Sequence, residues 1–231
     1  MRKKIKTISD AEWKAPRDTA WKAIMDADYE KAIKLLAPVY RKYPQDFRVI
    51  YFYASTLADY GEGRPENERK RLKKRGCYLL YGLLKRLRGV SRELGYSTRN
   101  EYYYHSAQHD KQYRLGLERV RAGEKSGYYS QGVGAAWYAY GHAKSGRGYL
   151  AEMWANRAIR AWENYFKFKA DYYNAYVHYA LALGIMGRTK DMEAALAKSA
   201  KLSGKPKSYR EFEEIRSNIS AVNKAEKLSA L

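Results

Sequence analysis

Apolar residues recur every three or four positions along most of the chain, and no run alternates with a period of two. Spacing of this kind places apolar side chains along one side of an α-helix, whereas a half-buried strand requires strict alternation. Segment 28–44 shows the pattern, because Asp28 is a good N-cap, Leu36 and Tyr40 share a stripe, and Pro44 marks the end. The sequence therefore predicts an all-α protein.

The predicted helices come in pairs that are joined by a short turn. Segment 47–63 ends near Gly61 and is followed by a long second helix that starts at Pro65 and runs to about residue 87. In two later pairs the first helix also ends in glycine. Segments 132–146 and 150–168 form the earlier of these pairs, and segments 173–187 and 189–202 form the later one. A unit of two helices that recurs within 20 to 50 residues indicates a helical repeat.

The spacing of large, small and glycine residues in these pairs resembles the tetratricopeptide repeat (TPR) family. Small residues let the two helices of such a repeat approach closely while large neighbours fill the groove between them. The matching residues are Ile50, Ala54, Leu57 and Gly61; Tyr176, Ala180, Leu183 and Gly187; Ala139 and Gly146; and Ala32, Leu36 and Pro44. The resemblance covers about two thirds of the chain. It implies a solenoid that holds a peptide on its concave side.

Residues 88–130 fit no repeat well, because glycine interrupts them at positions 89, 95, 123 and 127. We predict that they form an insertion with one helix, from about Asn100 to Val120. An interrupted array with a long middle also resembles the TPR subfamily associated with TRAP-type solute transporters. That second resemblance would imply a small-ligand-binding accessory protein of a transport system.

The C-terminal segment predicts a helix that caps the repeats, as a solenoid requires. Ser208 and Glu211 have the spacing of a capping box. Apolar residues follow at helical spacing, and they are Phe212, Ile215, Ile219, Val222 and Leu228. The expected organisation is a single TPR-like domain, 1–231, with a flexible basic N-terminus (1–12), two hairpins (13–87), the insertion (88–130), two further hairpins (131–206) and the capping helix (207–231).

Net charge and tyrosine content limit the kinds of partner that the protein is expected to bind. The 231 residues include 45 Lys and Arg against 25 Asp and Glu, which gives a net charge of +20. Such a charge favours acidic partners, namely nucleic acid, an anionic membrane surface or an acidic protein. The chain has 24 Tyr but only 5 Phe. Because the tyrosine hydroxyl must be solvated or hydrogen-bonded, this preference suits a half-exposed groove or interface better than a dry core.

Several classes of protein are excluded or disfavoured by what the sequence lacks. Cys77 is the single cysteine, so neither an internal disulfide nor a zinc site built from several cysteines is possible. The basic N-terminus has no apolar run after it, and no later segment approaches 18 apolar residues. We therefore expect a cytoplasmic protein with no transmembrane segment, whose oligomeric state the sequence leaves open.

The histidines His105 and His109, in the sequence HSAQH, are the strongest candidates for chemistry. On one helix they would share a face, but Ser106 stands where a zinc metalloprotease has its glutamate. Asp110 lies about 100° around the helix from His109, so it is a poor third ligand. The segment GVGAAW lacks the third glycine of a dinucleotide fingerprint, and no P-loop is present. We predict no enzymatic activity, no metal and no cofactor.

The TPR resemblance implies a binding groove on the concave side, lined by the first helix of each pair. The predicted groove residues are Arg17, Trp21, Arg48, Tyr51, Tyr140 and Lys144. The tyrosine-rich insertion adds Tyr102, Tyr103, Tyr104 and Arg114 as contact residues. An aromatic and basic groove suits an extended acidic peptide, which makes a scaffold for an acidic protein or peptide the first functional prediction.

Residues 64–92 carry the alternative prediction. They contain eleven Lys and Arg against two Glu, together with leucines at helical spacing. The basic half of this helix could lay a positive stripe along phosphates, with Arg71, Lys74 and Arg75 as contacts. Exposed tyrosines could stack on bases. The second predicted function is therefore nucleic-acid binding by a helical repeat protein.

Overall fold

The structure, a computed structural model, describes residues 7–26, 28–62, 64–87, 92–205 and 210–229. These residues form eleven α-helices and no strand, so the predicted all-α class is confirmed. The helices are α1 Asp10–Met25, α2 Tyr29–Lys42, α3 Phe47–Glu62, α4 Glu66–Arg86, α5 Arg92–His105, α6 His109–Arg121, α7 Gly127–Lys144, α8 Gly148–Phe166, α9 Tyr173–Ile185, α10 Thr189–Ser203 and α11 Arg210–Ser229.

The helices belong to two compact units, Met1–Ala107 and Gln108–Leu231, whereas the sequence pattern predicted one continuous domain. Unit 1 contains α1 to α5, and unit 2 contains α6 to α11. The predicted insertion, residues 88–130, is therefore divided, with α5 in unit 1 and α6 in unit 2.

In unit 1 each helix packs against the next one along the chain. The core that α1, α2 and α3 share includes Trp13, Leu36, Val49, Tyr53 and Leu57. Helices α3 and α4 approach closely at Gly76, where an added Cβ would lie 2.7 Å from the carbonyl oxygen of Ala54. A side chain there would collide with backbone, so the small residues at this crossing set the distance between the two helices.

The residues just before α1 are held by the α2–α3 connection. Ser9 caps α1 and forms a capping box with Glu12, so residues 10–12 of the predicted flexible segment 1–12 are helical. The backbone N–H of Ile8 donates to the buried carboxylate of Asp46 at 3.1 Å. Residues 1–6 lie outside the described part of the chain.

In unit 2 helix α7 packs against α6, α8, α9 and α11. Helices α6 and α7 pack closely because glycines, which have no side chain, lie where the two helices meet. A Cβ at Gly134 would lie 2.6 Å from the backbone nitrogen of Tyr113 and 2.7 Å from the carbonyl oxygen of His109. Gly132 similarly leaves room for the indole of Trp162, which is fully buried.

Glycines end the first helices of both later pairs, as predicted. Gly146 has a φ of +68° and Gly187 a φ of +69°, values at which any residue with a Cβ is strained. They follow α7 and α9, so the turn positions read from the sequence are confirmed. Asp28 is likewise confirmed as the N-cap of α2, since its side chain accepts a bond from the N–H of Lys31.

The prediction of one helix from Asn100 to Val120 is wrong. Helix α5 ends at His105 and α6 begins at His109, with Ala107 between them in a left-handed conformation at φ +55°. The buried residues of α5 and α6 lie in different units, so the two segments do not share one helical stripe. The expectation that His105 and His109 lie on one helix face is wrong for the same reason.

The terminal helix is present as predicted and packs against α9 and α7. Among the α11 side chains that the structure describes, 211–222, the buried ones are Phe212, Ile215, Ile219 and Val222, which are four of the five predicted apolar positions. Ser208 and the side chain of Leu228 fall outside the described residues, so the predicted capping box has no structural description.

Candidate functional site

Trp21 is the most exposed aromatic residue of the predicted groove. Its side chain on α1 is 49% exposed, and its ring centroid lies 6.0 Å from that of Phe52 on α3. Arg17, one turn earlier on α1, is exposed and pairs with the adjacent Asp18 at 2.7 Å. Tyr51 on α3 is half-buried. Unit 1 thus has an exposed aromatic side chain, Trp21, with one cation, Arg17, nearby.

Arg48, the other predicted cation of this groove, is engaged inside the protein. Its guanidinium donates to the carbonyl oxygen of Ile8 at 2.6 Å and pairs with Asp10 and Asp46. Burial alone would raise the pKa of Asp46, but bonds from Arg48 and two backbone N–H groups outweigh it and lower that pKa. Arg48 therefore anchors the N-terminal segment, and a ligand carboxylate would have to compete with Asp46 and Asp10.

The groove residues of unit 2 lie beside the terminal helix. The hydroxyl of Tyr140 is 3.0 Å from the side-chain oxygen of Asn218 on α11, to which it donates. Val222 of α11 and Ile185 of α9 pack in the same cluster as Tyr140. Lys144, one turn further along α7, is exposed. Helix α11 thus covers the Tyr140 part of the predicted groove.

The predicted contact residues of the insertion fall in different units. Tyr103 lies on α5 and is partly exposed, whereas Arg114 lies on α6 of unit 2 and is exposed. Within unit 1, the ring of Tyr103 lies beside that of Tyr102, with centroids 5.9 Å apart.

One side of α4 presents cations and tyrosines together. Arg71, Lys74, Tyr78, Tyr81 and Lys85 follow one another at intervals of three or four residues, so they lie on the same side of the helix. All five are exposed, with 75% of Tyr78 and 46% of Tyr81 accessible to solvent. The opposite side of the helix is buried through Gly76, Leu80 and Leu83.

Helix α5 adds a ring to this surface. The ring centroid of Tyr102 lies 5.7 Å from that of Tyr81, and Tyr103 follows at 5.9 Å from Tyr102. The ammonium of Lys85 lies 4.5 Å from the centroid of the Tyr81 ring, within the range of a cation–π contact. We name this surface the tyrosine–basic face, and its members are Arg71, Lys74, Arg75, Tyr78, Tyr81, Lys85 and Tyr102.

The cations of this face are available to a ligand. Further toward the start of α4, Arg69 and Lys70 both pair with Glu66. Among the residues that the structure describes, Arg71, Lys74 and Arg75 make no ion pair with a carboxylate. An anion can therefore approach these three cations without breaking an internal pair.

A buried charged cluster lies at the end of α5. Nε2 of His105 is 3.5 Å from Oδ1 of Asp59 on α3 and 3.5 Å from Oε2 of Glu101 on α5. The side chain of His105 has no exposed surface. Burial favours the neutral ring most strongly, but Glu101 and Asp59 together outweigh it and raise the pKa of His105 above its ordinary value of 6.5. We name Asp59, Glu101 and His105 the histidine–carboxylate cluster.

Two histidines of unit 2, His142 and His178, are buried. His178 is buried, its ring stacks on Trp162, and its Nδ1 accepts a bond from the indole of Trp137 at 3.3 Å. Burial, with a smaller contribution from His109, lowers the pKa of His178 to about 4, so the ring is neutral at neutral pH. Within the described ranges, no group of three His, Cys, Asp or Glu side chains is placed to hold a metal ion.

The sequence pattern identified the cations of α4 but not the tyrosines beside them. A signal was present, because Tyr78 and Tyr81 continue the spacing that starts at Arg71 and Lys74. Nothing local indicated that Tyr102 would join them, or that Asp59 would meet His105, since these contacts depend on how α5 packs.

Neither the family models nor the curated proteins searched contain a match to this chain. None of the helices described here is long and apolar enough to cross a membrane.

Proposed function

We propose that the protein is a non-enzymatic helical scaffold that binds single-stranded nucleic acid through the tyrosine–basic face. One observation carries the proposal: a single side of α4 combines exposed tyrosine rings with cations that pair with no carboxylate in the described part of the chain. Proteins that bind single strands combine these two elements, since cations follow the phosphates and aromatic rings stack on the bases.

The dimensions of the face suit a short stretch of strand. From Arg71 to Lys85 the helix rises by about 21 Å at 1.5 Å per residue. Arg71, Lys74 and Arg75 lie at one end, and the rings of Tyr78, Tyr81 and Tyr102 follow. A strand along this line would meet phosphate contacts first and stacking surfaces after them.

The charge of the whole chain supports the same partner. A net charge of +20 raises the encounter rate with a polyanion, and the effect weakens as salt screens it. Neither the phosphate contacts nor the ring faces read a particular base. We therefore expect binding with little sequence preference.

The first test is charge reversal of the three cations, Arg71→Glu, Lys74→Glu and Arg75→Glu. Binding of a labelled oligonucleotide of about 20 nucleotides should weaken at least tenfold at low salt, because three phosphate contacts are replaced by repulsion. The slope of log affinity against log salt should also become shallower by about 2, at about 0.7 per phosphate contact on a single strand.

A matched control is available on α10. Lys190, Lys198 and Lys201 are exposed, and their reversal to glutamate changes the net charge by the same amount. The control should weaken binding only slightly and leave the salt slope nearly unchanged. Equal losses in the two variants, or no binding by the wild-type protein at low salt, would contradict the proposal.

An acidic peptide bound to unit 1 is the second candidate function. The half-exposed Trp21 beside Phe52, with Arg17 one turn away, favours it, because an exposed tryptophan next to a cation is a common anchor in interfaces. Arg48 and Tyr140 support a peptide site less, because their side chains already donate hydrogen bonds to other groups of the protein.

The test of this candidate is Trp21→Ala together with Arg17→Glu, assayed with an acidic, aromatic peptide. Loss of the exposed anchor should weaken capture about tenfold or more. The control is Tyr149→Ala in unit 2, which removes a ring that is 80% exposed. If the double variant binds as tightly as the control, the α1 surface is not the binding site.

A further inference from the structure

We propose that protonation of His105 tightens the packing of α5 on α3 and α4 and so holds Tyr102 in place beside Tyr81, which makes the tyrosine–basic face pH-dependent. This inference rests on the proposed function for its effect on nucleic-acid affinity. The effect on α5 itself can be measured without any ligand.

The side chain of His105 links α5 to α3. Asp59 belongs to α3, whereas Glu101 and His105 belong to α5. Both carboxylates reach the same imidazole nitrogen, Nε2, at 3.5 Å, a distance typical of an ion pair rather than of a short hydrogen bond. When the ring is charged, it attracts the carboxylate of α3 and the carboxylate of α5 at once.

The groups that face His105 come from all three helices around it. Asp59 and Glu101 favour the imidazolium, whereas the positive charge of Lys73 on α4 opposes it. The ring of Tyr104 lies against the imidazole edge to face, with centroids 5.0 Å apart. Two carboxylates against one ammonium leave a local excess of negative charge, which the imidazolium neutralises.

The cluster lies close to the ring that α5 contributes to the face. Tyr102 is one turn before His105, so both side chains depend on the same packing of the last turn of α5. The ring centroid of Tyr102 in turn lies 5.7 Å from that of Tyr81 on α4. A looser final turn would separate the two rings, whereas Tyr78, Tyr81 and the cations of α4 would keep their places.

The direction of the pH effect follows from the raised pKa of His105. A group whose folded-state pKa lies above its unfolded value stabilises the fold below the unfolded pKa, and this contribution disappears as pH rises through the folded pKa. The His105 contribution is therefore complete below about 6.5 and is lost at more alkaline pH. We expect α5 to be best packed, and binding strongest, on the acidic side.

Proton NMR of the histidine rings tests the cluster directly, because the chain has only four histidines. The His105 resonance should titrate above 6.5, while those of His142 and His178 titrate below it, since burial lowers their pKa. Replacement of Glu101 by Gln should move the His105 midpoint toward acid. A His105 midpoint at or below 6.5, or one that Glu101→Gln leaves unchanged, would overturn the proposal.

Hydrogen exchange of residues 92–105 provides the structural measurement. In the wild-type protein, exchange corrected for its intrinsic pH dependence should quicken in α5 as pH rises from about 6 to about 8.5. His105→Gln should remove this pH dependence. The milder Glu101→Gln keeps the pair with Asp59, so it should weaken the dependence and move it toward acid, and it provides the test if His105→Gln does not fold. Exchange in α5 that follows the intrinsic rate at every pH in the wild-type protein would overturn the proposal.

Oligonucleotide affinity measured over the same pH range provides the functional measurement. The wild-type affinity should fall about fivefold toward alkaline pH, the lower end of typical coupling between two sites. The affinity of His105→Gln should be independent of pH, and that of Glu101→Gln should depend on pH less than the wild-type affinity does. Flat wild-type affinity overturns the regulatory inference, whereas no binding at any pH overturns the proposed function and leaves the titration and exchange results to decide the behaviour of α5.

Discussion

At the residue scale, the packing of unit 2 depends on positions that lack a side chain. Gly134 faces backbone atoms of α6, and its added Cβ would lie within 2.7 Å of both the nitrogen of Tyr113 and the carbonyl oxygen of His109. Backbone cannot rotate aside as a flexible side chain can. Gly141, two turns later on the same helix, has nothing within 4 Å.

Substitution of these two glycines should therefore have opposite effects. Gly134→Ala should lower the free energy of unfolding by about 1–3 kcal/mol, because α6 and α7 must move apart to admit the methyl group. Gly141→Ala should raise it by up to about 1 kcal/mol, because alanine is the better helix former and space is open. Urea denaturation of both variants measures the difference. Equal changes in the two variants would mean that the α6–α7 contact does not limit stability.

Residues with local roles could be predicted from the sequence, and residues with distant partners could not. Asp28 as an N-cap and Gly146 and Gly187 as turn residues depend on their immediate neighbours, and all three were identified. His105 was noted for its spacing from His109. Its actual partner Asp59 is far away in sequence, and no pattern in one chain links the two.

At the scale of helices, the spacing of apolar residues predicted the positions of the helices well. It was a poorer guide to which side of each helix packs against its neighbours. Helix α4 was expected from Pro65 to about residue 87 and spans Glu66–Arg86. Its exposed side became evident only from the burial of Gly76, Leu80 and Leu83. Helix α11 was expected as a cap, but its contact with Tyr140 depends on the packing of α11 against α7, which helical periodicity does not report.

At the scale of the whole molecule, a net charge of +20 opposes compactness. Like charges lie closer together in the folded chain than in the unfolded one, so their repulsion lowers stability at low ionic strength. The exposed ion pairs offset little of this, since pairs of this kind contribute about 0–1 kcal/mol each.

Salt should consequently stabilise the fold. The midpoint of thermal unfolding, followed by circular dichroism, should rise as sodium chloride increases from about 20 mM to about 0.5 M, because the Debye length shortens from tens of ångströms to a few. Reversal of Lys190, Lys198 and Lys201 to glutamate lowers the net charge and should reduce the rise. A midpoint that falls with added salt would show that favourable ion pairs outweigh the general repulsion.

The glycines of α7 also affect the order in which unit 2 can fold. Four glycines, at positions 127, 132, 134 and 141, occur within its eighteen residues. Glycine in a helix interior costs about 1 kcal/mol relative to alanine, and three of the four lie there, so α7 has little tendency to form alone. Because this helix packs against four others, its formation depends on theirs. Helix α10 has no glycine, and α8 has one, at its first residue, so these helices are better starting points. We expect α7 to become helical only as it condenses onto its neighbours.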